Sequence, residues 1–158
     1  MRRALRQRAG RRPPMAAEPA MAAEPDADVL EELRRLRARA PQITGALAAS
    51  VDGLVLAGDT GTVDGESLAA LTAAALGVAL RLSDAAAQGG FHELVVRSEH
   101  GYVATYAAGR SAVLTVLAEP RSNVGRIHLE ARRAGARVGT LVDAAQDRRA
   151  PRPRPQQP

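Results

Sequence analysis

Apolar residues recur along the chain with two different periods, and the change from one to the other lays out the elements. Val29, Leu30, Leu33 and Leu36 stand at the spacing of one helical face. Asp26 and Asp28 come just ahead of this run and Glu31 and Glu32 follow in its first turn, where carboxylates favour the positive end of the helix dipole. Pro41 biases the residue before it away from helix, so the first helix closes there. Residues 43–50 and 54–57 are short apolar runs around Val51-Asp52-Gly53, whose Asp-Gly pair suits a tight hairpin turn. A loop rich in glycine and aspartate, 58–65, leads to a long helix over about 66–88, ended by Gly89-Gly90. Residues 94–97, 102–107 and 112–117 read as three more strands, separated by Glu99-His100-Gly101 and Gly109-Arg110, which predicts an antiparallel meander. A last helix covers about 124–145, with Arg126, Glu130, Arg133 and Arg137 spaced along one exposed side.

The order helix, two strands, helix, three strands, helix predicts an α/β (α+β) domain over residues 27–146, with one five-stranded antiparallel sheet among three helices. Residues 1–26 form an Arg/Pro-rich arm and 147–158 a Pro/Arg tail, both expected to be disordered because they lack the apolar side chains needed to offset ordering. The arm contains a repeat, Met15-Ala16-Ala17-Glu18-Pro19 and Met21-Ala22-Ala23-Glu24-Pro25, and each copy supplies an alternative start at Met15 or Met21.

A chain of 158 residues with 46% hydrophobic content has material for a single core. It contains no cysteine, which excludes a disulfide framework and a thiolate site and fits a cytoplasmic location. The arginine-rich start does not run into a signal-peptide core, and the alanine-dominated stretch 68–80 falls short of the roughly 20 apolar residues of a membrane span. The net charge of +5 sits in the flanks, since 27–146 holds twelve arginines against thirteen acidic residues. A basic patch on the folded part is therefore not expected.

Catalytic signatures are missing. His92, His100 and His128 are far apart, with no His-Glu-x-x-His helix, so no metal or other cofactor is expected. Gly58-Asp59-Thr60-Gly61-Thr62 lacks the Gly-Lys-Ser/Thr ending of a phosphate loop and reads as a connection. No serine lies in a Gly-x-Ser-x-Gly elbow, the Glu31-Glu32 pair is explained by the helix dipole, and one Phe with two Tyr offers no row of faces for base stacking. A non-enzymatic binding module is the leading reading. The alternatives are nucleic-acid or acidic-surface binding through the arginine-rich flanks, with a steep salt dependence, and a small-ligand sensor.

The segments 50–57 (Ser-Val-Asp-Gly-Leu-Val-Leu-Ala), 114–118 (Leu-Thr-Val-Leu-Ala), Asn123-Val124-Gly125 and 129–133 (Leu-Glu-Ala-Arg-Arg) resemble the first hairpin, last strand and last helix of the Roadblock/dynein-light-chain family, in its bacterial branch. The resemblance implies a homodimer whose sheet continues across the interface, a small Ras-like GTPase as partner, and in some systems a sensor kinase complex. The middle helix agrees with two-sided cover: Leu68, Leu71, Ala75, Val78 and Leu82 form one apolar stripe, and Ala69, Ala73, Leu76 and Leu80 another. The expected dimer interface is the first stripe together with Leu94, Val95 and Val96 of the third strand. Thr72, Arg81 and Asp84 interrupt the apolar helix and are the expected contacts to the GTPase.

Overall fold

The computed structural model describes residues 27–149 as a three-layer domain. In chain order the elements are α1 (Ala27–Arg39), β1 (Ile43–Ser50), β2 (Val55–Asp59), α2 (Gly65–Ala85), β3 (Glu93–Ser98), β4 (Gly101–Ala108), β5 (Ala112–Ala118) and α3 (Val124–Arg149). The five strands form one antiparallel sheet in the order β2-β1-β5-β4-β3. The expected element order and meander are present. The arm, residues 1–26, lies outside the described residues, as does 150–158 of the tail; residues 147–149, expected in the tail, continue α3.

Strand alternation divides the core. Ala46 and Ala48 of β1 and Tyr106 of β4 face α1 and α3, where Val29, Leu33, Leu36, Ala131, Ala134 and Val138 complete the larger cluster. Leu47, Ala49 and Val113 point the other way, to Ala69 and Leu76 of α2. The β1–β2 turn closes with Gly53 N–H donating to Ser50 O at 3.0 Å, and Gly53 takes φ +88. α3 lies unusually close to β4 because Gly135 and Gly139 carry no side chain. A Cβ on Gly139 would collide with the backbone nitrogen of Gly109, and one on Gly135 would meet Ala107 O at 3.2 Å.

Asp64 caps α2, its carboxylate accepting from Glu66 N–H and Ser67 N–H. The other end departs from expectation. The helix stops at Ala85, short of Gly89, and Ala87 takes the left-handed turn at φ 52, where Ala87 N–H donates to Asp84 O. α2 also corrects the view that the apolar stretch is too short for a membrane span, because its 21 residues are long and apolar enough by length and composition. Ala69, Thr72 and Leu76 are nevertheless packed on the sheet, as in a helix of a layered domain.

The Glu31-Glu32 pair needs a second correction. Because α1 begins at Ala27, neither lies in its first turn, and Glu31 is exposed and pairs with Arg35 one turn further on. Glu32 is buried between α1 and α3, bound by Arg39 at 3.0 Å and Arg137 at 2.7 Å. Glu130 and Arg137 of α3 also tie it to α1, through Arg39 and Glu32, while Arg126, Arg133 and Arg137 stay exposed as expected and Arg133 pairs with Glu130 within α3. Burial alone would push the Glu32 carboxyl up, but hydrogen bonds and charge from Arg137 and Arg39 outweigh it and hold the group below the usual glutamate range.

Candidate functional site

α2 crosses the sheet over β1 and β2 and leaves the same face of β3 and β4 uncovered. Leu71, Val78 and Leu82, at spacings of seven and four, are 68%, 67% and 69% exposed. Large apolar residues on a packed domain helix are normally turned inward, so this stripe is an unfilled surface. Beside it runs an apolar groove of about 210 Å³ lined by Leu68, Leu71, Ala75, Leu94, Val96 and Val103, among others. A neighbouring hollow continues along Ala75, Val78, Leu82, Phe91 and Leu94. The groove ends at β3, which is hydrogen-bonded to β4 on one side and forms one edge of the sheet on the other.

The structure brings together seven of the eight residues expected at a dimer interface. Leu68, Leu71, Ala75, Val78, Leu82, Leu94 and Val96 line the stripe and its grooves. Val95 is on β3 too, but alternation turns it to the α1/α3 side, with Glu93 and Arg97. Phe91, Val103 and Thr105 complete the surface and were not anticipated. The period-two pattern of β4 carried the signal for Val103 and Thr105, once it was known which face α2 leaves bare.

Of the three expected partner contacts, Thr72 is misplaced. It is 5% exposed and lies beneath α2, its hydroxyl 3.3 Å from that of Thr115 on β5, which is in turn 3.1 Å from that of Thr105. A polar residue on an apolar helix marks the solvent side only if no polar group waits underneath, and here two threonines do. Arg81 and Asp84 are exposed, on the outer side of the helix.

β3 is also anchored from the opposite face. Arg132 of α3 makes two hydrogen bonds to Glu93, at 2.9 and 2.8 Å, and His128 Nδ1 lies 3.6 Å from the same carboxylate. The Tyr106 hydroxyl and His128 Nδ1 share a hydrogen bond of 2.7 Å, and burial, aided by the Glu93 charge, pushes the Tyr106 hydroxyl well up and keeps it protonated. This group borders an open hollow of about 610 Å³ and fixes the start of the edge strand. His92 and His100 are exposed near the two ends of β3.

The domain is mixed, with helices on both faces of a five-stranded antiparallel sheet, an exposed apolar stripe, and no His/Asp/Glu cluster able to hold a metal ion among the described residues. The Roadblock/LC7 domain profile matches residues 29–118, more than half of the chain, and the protein belongs to that family. The match ends where β5 ends, so α3 lies beyond it. An uncharacterised protein of Methanocaldococcus jannaschii is 32% identical over 104 residues, covering 65% of this chain and 87% of the relative. Among solved structures, an MglB with a tetrameric arrangement superposes with a TM-score of 0.71 at 21% identity, covering 81% of this chain and 98% of that one. The gliding protein MglB of Thermus thermophilus gives 0.70 at 21% identity, covering 80% and 98%. These two likenesses concern the fold.

Proposed function

We propose that the protein is a non-catalytic cytoplasmic adaptor that forms a homodimer through α2 and β3 and uses the paired α2 helices to dock a small Ras-like GTPase. The observation that carries the dimer is the stripe Leu71, Val78 and Leu82, continuous through an apolar groove with the free edge of β3. Burying such side chains contributes about 1.5–3 kcal/mol each when exposure is complete beforehand, and a two-fold axis counts every one twice. A self-complementary contact also removes the unpaired backbone of β3. That a solved structure of the same fold is described with a tetrameric arrangement supports self-assembly.

The GTPase reading follows from the family resemblance of the sequence. It is supported by Arg81 and Asp84, which stay exposed on the outer side of α2 beside the apolar stripe. Sedimentation of the full chain at micromolar concentration tests the first half, with a dimer expected and a monomer overturning it. Binding to a purified small Ras-like GTPase of the same organism, loaded with GDP or a non-hydrolysable GTP analogue, tests the second. A difference between the two forms is expected; equal affinity reduces the protein to a scaffold, because a ligand that does not distinguish two states cannot shift them. Absence of binding to either form overturns the GTPase reading.

A further inference from the structure

The tripeptide Val-Asp-Gly occurs twice in the chain, at 51–53 and 63–65, and the fold puts the two copies to different uses. In the second copy Asp64 caps α2, its carboxylate accepting from Glu66 N–H at 3.4 Å and from Ser67 N–H at 3.1 Å. Ser67, through its hydroxyl and its backbone N–H, holds this carboxyl below the usual aspartate range, and Glu66 N–H adds to the effect. Gly65 is already the first residue of the helix. The Asp64 carboxylate is thus fixed as the anion and aimed away from the Gly65 nitrogen, toward the two amides beyond it.

The first copy forms the turn between β1 and β2. Asp52 is exposed, and its carboxylate makes no hydrogen bond or ion pair among the described residues. Gly53 takes φ +88, and its N–H makes a single bond, to Ser50 O at 3.0 Å, at the surface of the turn. Behind the tip lies α2. A Cβ on Gly53 would stand 3.2 Å from Ala70 Cα and 3.3 Å from Ala73 Cβ, so the turn backbone rests directly on that helix.

We propose that Asp52 is a site of spontaneous covalent rearrangement, in which the Asp52–Gly53 linkage converts through a succinimide to isoaspartate, and that the fold spares Asp64. Once the bond to Ser50 O opens, the Gly53 amide nitrogen attacks Cγ of the protonated Asp52 carboxyl. The N–Cγ bond forms, a Cγ–O bond breaks, and the amide proton leaves with that oxygen as water. A glycine on the C-terminal side presents no Cβ to this ring closure. Water then adds back to the five-membered ring. Opening at Cγ restores aspartate, whereas opening at the former main-chain carbonyl leaves isoaspartate, with no change in redox state and no co-reactant but water. The product carries one extra methylene in the main chain. A turn closed by Ser50 N–H to Leu54 O at 2.8 Å and by Gly53 N–H to Ser50 O has no room for it, so the tip lifts from Ala70 and Ala73 and α2 loses part of its seat.

Ageing the full chain tests this without reference to dimer or GTPase. The protein is held for several weeks at neutral pH and body temperature, folded in buffer and, in parallel, unfolded in concentrated guanidinium chloride. It is then digested with a protease that cuts before aspartate and not before isoaspartate, and the peptides are weighed. In the unfolded chain the cuts before residues 52 and 64 are expected to be lost at similar rates, since the flanking tripeptide is the same. In the folded chain the cut before residue 52 is lost and the cut before residue 64 is kept. Retention of the cut before residue 52 in the folded chain overturns the proposal, and so does loss before residue 64 at the same rate.

Discussion

Thr72 of α2 and Thr115 of β5, 43 residues apart, place their hydroxyl oxygens 3.3 Å from each other in an otherwise apolar seam. Thr115 also meets Thr105 at 3.1 Å and is fully buried, so it serves both neighbours. Replacing Thr115 by valine conserves shape and strands two buried hydroxyls, and we expect a loss of about 1–3 kcal/mol in urea unfolding. Thr72→Val leaves the Thr105–Thr115 contact intact and should cost less than about 1.5 kcal/mol. Equal losses would mean that the three hydroxyls do not act as a chain.

Thr72 also shows where sequence reading stops. Element order was legible because it depends on local features: the 3.6-residue period of α1, the Asp52-Gly53 turn, and the alternation along β4 and β5. The apolar stripe of α2 was legible for the same reason. Which side of α2 meets the sheet depends on the partner beneath, and Thr115 cannot be assigned to Thr72 from spacing. Likewise Glu32 finds Arg137 at a separation of 105 residues, a partner that spacing along α1 does not reveal. The end of α2 was misread because Ala87 takes a backbone conformation usually left to glycine.

Glu32 gives the fold a dependence on pH. Its carboxyl is held below its usual range in the folded state, so its contribution is fully present above the unfolded value, about 4.3, and is lost as pH falls through the lowered folded value. Glu32→Gln should lower stability at pH 7 by about 1–2 kcal/mol, a figure kept small because Arg39 and Arg137 are partly solvated. The gap between variant and wild type should narrow in acid below about pH 4. Unfolding curves across pH that stay parallel would refute the assignment.

Gly139 is the tightest point between α3 and the sheet. Gly139→Ala must push the helix off Gly109 and Ala108, whose backbone atoms a methyl group would overlap. The expected destabilisation is about 1–3 kcal/mol despite the better helix propensity of alanine. Gly125→Ala, in the first turn of α3 with only Asn123 nearby, is the control and should be neutral or slightly stabilising. Thermal melts of both variants provide the comparison.

Val78 sits in the centre of the exposed stripe and touches no core cluster. Val78→Glu should leave circular dichroism unchanged while weakening self-association by about thirtyfold or more, the effect of losing roughly 2 kcal/mol at an interface centre. A dimer of undiminished affinity would move the interface away from α2.

Arg81→Ala should preserve the sedimentation behaviour and weaken GTPase binding, by about thirtyfold if the guanidinium occupies the contact centre. Titration of the loaded GTPase reads this without interference from folding, since Arg81 is exposed. An unchanged affinity would place the contact elsewhere on the dimer.

In the proposed dimer, the free edge of β3 has a consequence for the lifetime of a separated subunit. Leu94, Val95 and Val96 form a short β-prone run with unsatisfied backbone along one side, a template that another chain can extend without limit once the symmetric partner is gone. Glu93 and Arg97 bracket the run with opposite charges and oppose stacking in some registers, but they do not shield the strand. Mixing and dilution therefore set a competition between closed pairing and open-ended growth. If the proposed dimer forms, solubility becomes a property of the pair, and variants that break the pair should be handled cold, dilute and briefly.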